Sequence, residues 1–167
     1  MEVHHLAAQG GGTILAAVEA KLTEAEVSAV GVAGPPIDGA AEALKAAHES
    51  GRRVAVVSNN SAECVRVYLS AHGLSTLVEE VVGRPAMRPD LMKPSPYPLL
   101  KAASLLGATP ERTVLIGDSV TDIEATRAAA ARSVGFANKP TKETALADAG
   151  ADQVILGMAS IAEALAA

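Results

Sequence analysis

Four side chains of this 167-residue chain have types and settings suited to chemistry on a small anion: Ser58, Lys93, Asp118 and Asp122. Asp118 and Asp122 follow the apolar run Thr113-Val114-Leu115-Ile116, which Gly117 closes. Two carboxylates about one helical turn apart at a strand end can face one hard cation such as Mg²⁺, which keeps several waters and a substrate phosphate. The same residues also have a purely structural reading. Asp118 or Ser119 would cap a helix from Val120 to Ala130, with Asp122 and Glu124 favoured in its first turn by the helix dipole. Ser58-Asn59-Asn60 likewise reads as an Asn-rich turn capped by Ser61, or as a hydroxyl beside unpaired N–H groups that suits phosphate oxygens. Lys93, between Met92 and Pro94, reads on its own as a solvated surface lysine. Spacing alone leaves these pairs of readings open.

The elements that must position these residues alternate regularly from Ile37 onward. Asp38 is expected to cap a helix over Ala40–Ser50 that Gly51 ends, before a buried strand over Arg53–Val57. A helix over Ala62–His72, a strand over Glu80–Gly83 and a helix over Tyr97–Leu106 follow. The strand that carries Gly117 comes next, then the helix to Ala130, a strand over Ser133–Phe136 and a helix over Lys142–Ala149. A strand over Gln153–Leu156 and a closing helix from Ala159 complete the chain. Such alternation predicts an α/β fold, a parallel sheet with helices on both faces, with chemistry in the loops at the strand ends. Before it, Gly10-Gly11-Gly12 breaks the chain and Thr13–Leu22 has helical spacing. Thr23-Glu24-Ala25-Glu26 has the form of a capping box, which would open a second helix to about Val32. Gly34-Pro35-Pro36 marks a boundary, so residues 1–36 read as a helical N-terminal segment and 37–167 as the core domain.

Three strings then carry a resemblance. Val57-Ser58-Asn59-Asn60, Leu91-Met92-Lys93-Pro94 and Leu115-Ile116-Gly117-Asp118-Ser119-Val120-Thr121-Asp122 resemble, in order and spacing, the second, third and fourth motifs of the haloacid dehalogenase (HAD) superfamily. Within it the chain resembles the small phosphatases of the phosphoglycolate phosphatase type. The resemblance implies a HAD-like Rossmannoid sheet and Mg²⁺-dependent hydrolysis of a small phosphorylated metabolite. It implies that Ser58, with the amide of Asn59, holds the phosphoryl group. Lys93 would neutralise charge on phosphate and nucleophile, and Asp118, supported by Asp122, would hold Mg²⁺. Residues 1–36 resemble the tail of a small helical cap.

The superfamily's first motif, an Asp-x-Asp pair whose first member is the nucleophile, is absent, since no Asp-x-Asp occurs in the chain. Pro36-Ile37-Asp38 has proline at the nucleophile's place, and Asp38 is read as a helix cap. In the family the first strand lies between those of the second and fourth motifs, so its loss leaves two unpaired strand edges. An improvised strand over residues 27–33, a strand lent by a partner chain, or a segment upstream would fill the gap. The alternative function is a HAD-like domain that binds a phosphorylated ligand or a protein partner without catalysis. A receiver-like signalling domain shares the residue types, but the separate Lys93-Pro94 loop argues against it.

Composition narrows the partners. A formal net charge of -5 with no Lys/Arg-rich run argues against nucleic acid and against an anionic membrane surface. The single cysteine, Cys64, has no internal disulfide partner and reads as a core thiol in a reducing compartment. The amino terminus lacks the pattern of a signal peptide and no apolar run approaches spanning length, so a cytoplasmic protein is expected. His4 and His5, beside the chain end, are read as solvated. The loop Phe136-Ala137-Asn138-Lys139-Pro140 follows another strand at the same sheet end and could touch a ligand, but is read first as a loop with a solvated lysine, and an unfilled sheet centre favours a homodimer.

Overall fold

The computed structural model describes residues 2–166, without the side chains of Glu2 and His5, so the expectation for His5 lies outside the described residues. Five short apolar runs form parallel strands. β1 (Ala55–Val57) pairs with β2 (Glu80–Val82), while β3 (Val114–Gly117) pairs with β4 (Arg132–Phe136), and β4 with β5 (Gln153–Ile155). The α/β architecture expected from the alternation is therefore present, but the strands fall into two sheets, ordered β1-β2 and β3-β4-β5. No hydrogen-bonded ladder joins β1 to β3.

Burial records the same break. Strands of a parallel sheet with helices on its faces are normally the most buried part of the molecule. Here no residue of β1 or β3 is fully buried, and Val114 is 57 % exposed, whereas Ser133 and Gly135 of β4 are buried. A buried apolar cluster lies on the intact side. Ile123, Ala137 and Leu146 meet there, with Ala149, Ala151 and Val154 against them. Complete burial of a side chain such as Ile123 or Leu146 contributes about 1.5–3 kcal/mol.

The core helices lie where the sequence pattern puts them. They are α3 (Ala40–Glu49), α4 (Ala62–Ala71), α5 (Tyr97–Leu105), α6 (Val120–Ala128), α7 (Lys142–Asp148) and α8 (Ala159–Ala166). α5 packs on β1 and β2, α6 on β3 and β4, and α7 on β4 and β5, while α3 packs on α8. Ser61 caps α4 by accepting from the Cys64 amide, as expected. Asp38 does not cap α3. Gly39 holds that position at φ 82° without a side-chain cap, because a Cβ there would come within 2.4 Å of the Ala159 amide nitrogen, and Asp38 is exposed one residue upstream.

The first thirty residues depart furthest from expectation. α1 (Glu2–Gln9) and α2 (Gly12–Val30) flank the glycine break, and α2 runs without interruption through Thr23. The capping-box residues serve tertiary contacts instead. Glu26 and Thr23 both bind Arg84, and Glu26 Oε2 accepts from the Ser61 amide at 2.8 Å. Residues 27–30 are helical and a turn follows, so no strand forms over 27–33. His4 is buried, not solvated, with Nδ1 3.1 Å from Glu19 Oε1 at ion-pairing distance but without hydrogen-bond geometry. No described helix is long and apolar enough to cross a membrane.

Candidate functional site

The site forms where β1 and β3 end, and Lys93 lies between them. Its loop follows a single helical turn at Pro89–Leu91, and the Lys93–Pro94 peptide is cis. Asn59, two residues beyond β1, fixes the Lys93 backbone from both sides. Its Oδ1 accepts from the Lys93 amide at 3.0 Å, and its Nδ2 donates to the Lys93 carbonyl at 3.2 Å. The Lys93 ammonium donates to the Val57 carbonyl at 3.3 Å and lies 2.6 Å from Asp122 Oδ1. The strings around Lys93 and Asp118-Asp122 thus meet in one ion pair, with the loop of Ser58 clamped to it through Asn59.

Asp122 is held as firmly from the other side. It is the third residue of α6, and its Oδ2 accepts from the Ser119 amide at 3.1 Å and from the Ser119 hydroxyl at 2.6 Å. Ser119 in turn accepts from the Asp122 amide, which completes a capping box. Gly117 makes this possible, since a Cβ there would lie 2.5 Å from Asp122 Cβ and Cγ. The carboxylate therefore folds back against the strand end and is 6 % exposed. The structural reading of Asp122 is the one its bonds show: Lys93 takes one carboxylate oxygen and Ser119 the other, so that Asp122 and Asp118 do not face one point.

Asp118 turns elsewhere. Its Oδ2 accepts from Lys142 Nζ at 2.6 Å and from Asn138 Nδ2 at 2.9 Å, and its own carbonyl accepts from Lys142 Nζ at 2.8 Å. Burial pushes the Asp118 carboxyl up, but Lys142 and Asn138 outweigh it and hold the group below the ordinary carboxylate range. Asn138 belongs to the loop after β4, whose place at this sheet end is one of the two readings the sequence leaves for it, and Lys142 opens α7. Neither was picked out from sequence as a site residue. The signal for them was topological, because the loop after β4 opens at the same sheet end as the loop after β3.

Around Ser58 the groups are polar and ordered. The Ser58 amide donates to the Val82 carbonyl and its hydroxyl accepts from the Asn60 amide at 3.1 Å. Beneath this turn, Arg84 is 3 % exposed and binds Glu19, Glu26, Thr23 and the Asn59 carbonyl. Gly83 allows the approach, since a Cβ there would lie 2.2 Å from the Ala62 amide nitrogen. The Cys64 thiol, half-buried and not in the core as expected, donates to the Glu26 carbonyl at 3.4 Å, and burial pushes its pKa up.

The arrangement can gather an anion and a cation at one sheet end. Asp118 presents a carboxylate, 47 % exposed, beside its own carbonyl oxygen, and an ammonium already stands against both oxygens. Hard oxygens gathered around a positive charge fit a divalent cation that keeps most of its waters. Among the described residues, no group of three His, Cys, Asp or Glu side chains converges on a common point, so water and substrate would complete the shell.

Comparisons with known proteins agree with this geometry. The family model for haloacid dehalogenase-like hydrolases matches residues 3–130. The phosphoglycolate phosphatase of Salmonella paratyphi A is 38% identical over 96 residues, which are 58% of this chain and 37% of that protein. The pyrophosphatase PpaX of Halalkalibacterium halodurans is 34% identical over 88 residues, 53% of this chain and 40% of that one. A HAD-family hydrolase of Deinococcus radiodurans, solved with bound phosphate and sodium, superposes with a TM-score of 0.69 at 36% identity, covering 78% of this chain and 58% of that one. The chain spans about two fifths of the length of the curated relatives it matches. With the family model over most of its length and the motif residues at the strand ends, the chain belongs to the haloacid dehalogenase-like hydrolase family.

Proposed function

We propose that this chain forms the core of a Mg²⁺-dependent phosphatase acting on the monoester of a small phosphorylated metabolite, with residues 1–36 as a helical remnant of a cap and 37–167 as the core domain. One observation carries the reading: the Lys93 ammonium reaches both the end of β1, at Val57, and Asp122 beyond the end of β3. A positive charge fixed between the second and fourth motifs, beside a serine turn, is what phosphoryl transfer asks of a protein: positioning and charge stabilisation. Ser58 and the Asn59 amide would hold phosphate oxygens, and Lys93 would neutralise them. Asp118, steadied by Asp122, would hold the Mg²⁺, which when bound supplies further charge neutralisation at the phosphate.

The nucleophile is the part to be supplied. β1 and β3 share no ladder, and the edge between them is read as the place for a parallel strand that would end beside Lys93. That segment would come from a partner chain, from a second copy in a homodimer, or from further sequence. The second reading, a domain that binds a phosphorylated ligand or a protein partner without turnover, draws on the lysine pairing of Asp118 and Asp122, which leaves neither free to attack.

Hydrolysis of p-nitrophenyl phosphate with and without Mg²⁺ separates the two. The chain is assayed alone and with a peptide that has an apolar strand ending in Asp-x-Asp. Metal-dependent turnover, in either condition and lost in Asp118→Asn, supports the phosphatase. Phosphate binding without turnover in both conditions supports the second reading.

A further inference from the structure

We infer that Lys142 competes with a divalent cation for Asp118 and so sets how tightly this site binds one. The inference rests on the cation reading of Asp118 given above, but it concerns a residue outside the three motifs. Lys142 Nζ contacts two oxygens of the same residue, Asp118 Oδ2 at 2.6 Å and the Asp118 carbonyl at 2.8 Å. Both are hard oxygens, the donors that a Mg²⁺-type cation takes. Asn138 Nδ2 occupies Oδ2 as well, at 2.9 Å, so that oxygen has no lone pair left for a metal while Lys142 stays. A cation at the other carboxylate oxygen would still stand within a few ångström of the ammonium, and like charges at such range repel by about a kcal/mol or more. On either route Lys142 must withdraw or the cation binds weakly.

The fold gives Lys142 little other reason to be where it is. It is the first residue of α7, the end at which the helix dipole disfavours a cation. Its side chain is 34 % exposed and that of Asp118 is 47 % exposed, so the pair lies at the rim of the site, where an ion pair is weak and opens readily. Lys93, by contrast, is 12 % exposed against Asp122 at 6 %. The site thus has one fixed lysine and one releasable lysine. The releasable one keeps Asp118 neutralised until a cation replaces it.

Mn²⁺ binding followed by the electron paramagnetic resonance of the free ion, with Mg²⁺ as competitor, tests this without any turnover. The proteins are the full chain and its Lys142→Met, Lys142→Arg and Asp118→Asn variants, each first shown to unfold cooperatively. Lys142→Met is expected to bind Mn²⁺ roughly five- to ten-fold tighter than the parent, the range given by loss of a weak rim pair and of the adjacent repulsion. Lys142→Arg keeps the charge and is expected to bind as the parent does, while Asp118→Asn loses the site. Equal or weaker binding by Lys142→Met, or no binding by any of the proteins, overturns the inference. The hydrolysis assay reads the function separately: a tighter cation in Lys142→Met with no turnover sinks the phosphatase and leaves the competition standing. Unchanged affinity beside Mg²⁺-dependent turnover does the reverse.

Discussion

Lys93 Nζ and Asp122 Oδ1 stand 2.6 Å apart, one on the loop before α5 and the other in the first turn of α6, across a line that no strand ladder spans. This ion pair joins two sheets that share no backbone hydrogen bonds. Its members are nearly buried, at 12 % and 6 % exposed, so each is compensated chiefly by the other and by the Val57 carbonyl and Ser119. Removing one charge leaves the other stranded in a poorly solvated place.

Asp122→Ala is therefore expected to lower the unfolding free energy by about 3–5 kcal/mol, with the lost capping box contributing about 1 kcal/mol of that. Urea unfolding followed by circular dichroism measures it. In the double variant with Lys93→Met the cost should fall well short of the sum of the two single costs, because no buried charge is then left unpaired. Strict additivity would mean that the pair does not hold the sheets.

Gly117→Ala tests the position of Asp122 without touching a charge. The added methyl would meet Asp122 Cβ and Cγ at 2.5 Å, and strand end and helix start are both too constrained to yield freely. Overpacking of this kind costs about 1–3 kcal/mol. The Asp122 carboxylate should move off Lys93, and phosphate binding, followed by ³¹P line broadening, should weaken with it. Unaltered phosphate binding would show that Asp122 need not sit against the strand end.

The contact of α1 and α2 with the core should loosen in mild acid. Burial pushes the Glu26 carboxyl up, but hydrogen bonds from Arg84 and the Ser61 amide prevail and hold it below its ordinary value of 4.5. Burial and then Arg84 push the His4 imidazole below its ordinary 6.5, against the pull of Glu19 and Glu26. Both folded values are depressed, so each group stabilises the fold above its ordinary value and loses that contribution as pH falls. The His4 part should vanish as pH drops from about 6.5, and the Glu26 part below about 4.5. Urea midpoints should thus decline from pH 7 to pH 5 in the parent and less steeply in His4→Gln. Equal slopes would remove His4 from the account.

Much of this was legible in the sequence because the core obeys local rules. Short apolar runs became β1 and β3, Ser61 capped α4, and the strings around Ser58 and Asp118 stood at strand ends, with Lys93 on the loop between them. Asp38 was displaced as a cap by the close approach of Ala159 to Gly39, and the misreadings in the first thirty residues were decided by long-range charge. Thr23 and Glu26 look like a helix start but serve Arg84, about sixty residues away in sequence, and His4 is drawn inward by Glu19 of the same cluster. Asn138 and Lys142 reach Asp118 only because the loops after β3 and β4 open side by side, a relation that no spacing within either loop records.

The open boundary between the sheets should be visible in amide exchange. In β1 the Ser58 amide bonds to Val82, so alternation turns Ala55 and Val57 toward the other edge. In β3 the Thr113 carbonyl accepts from Arg132, which turns Val114 and Ile116 toward the facing edge. The amides of Val57 and Ile116 are thus expected to exchange within minutes in the chain alone, while those of Val56 and Leu115, inside ladders, are protected far longer. A peptide that fills the boundary as a parallel strand would add hydrogen bonds on both edges, and Val57 and Ile116 should then slow together. Protection of both amides in the chain alone would mean that the boundary is already closed in solution. The search for a strand donor would then turn to the oligomeric state of the chain itself.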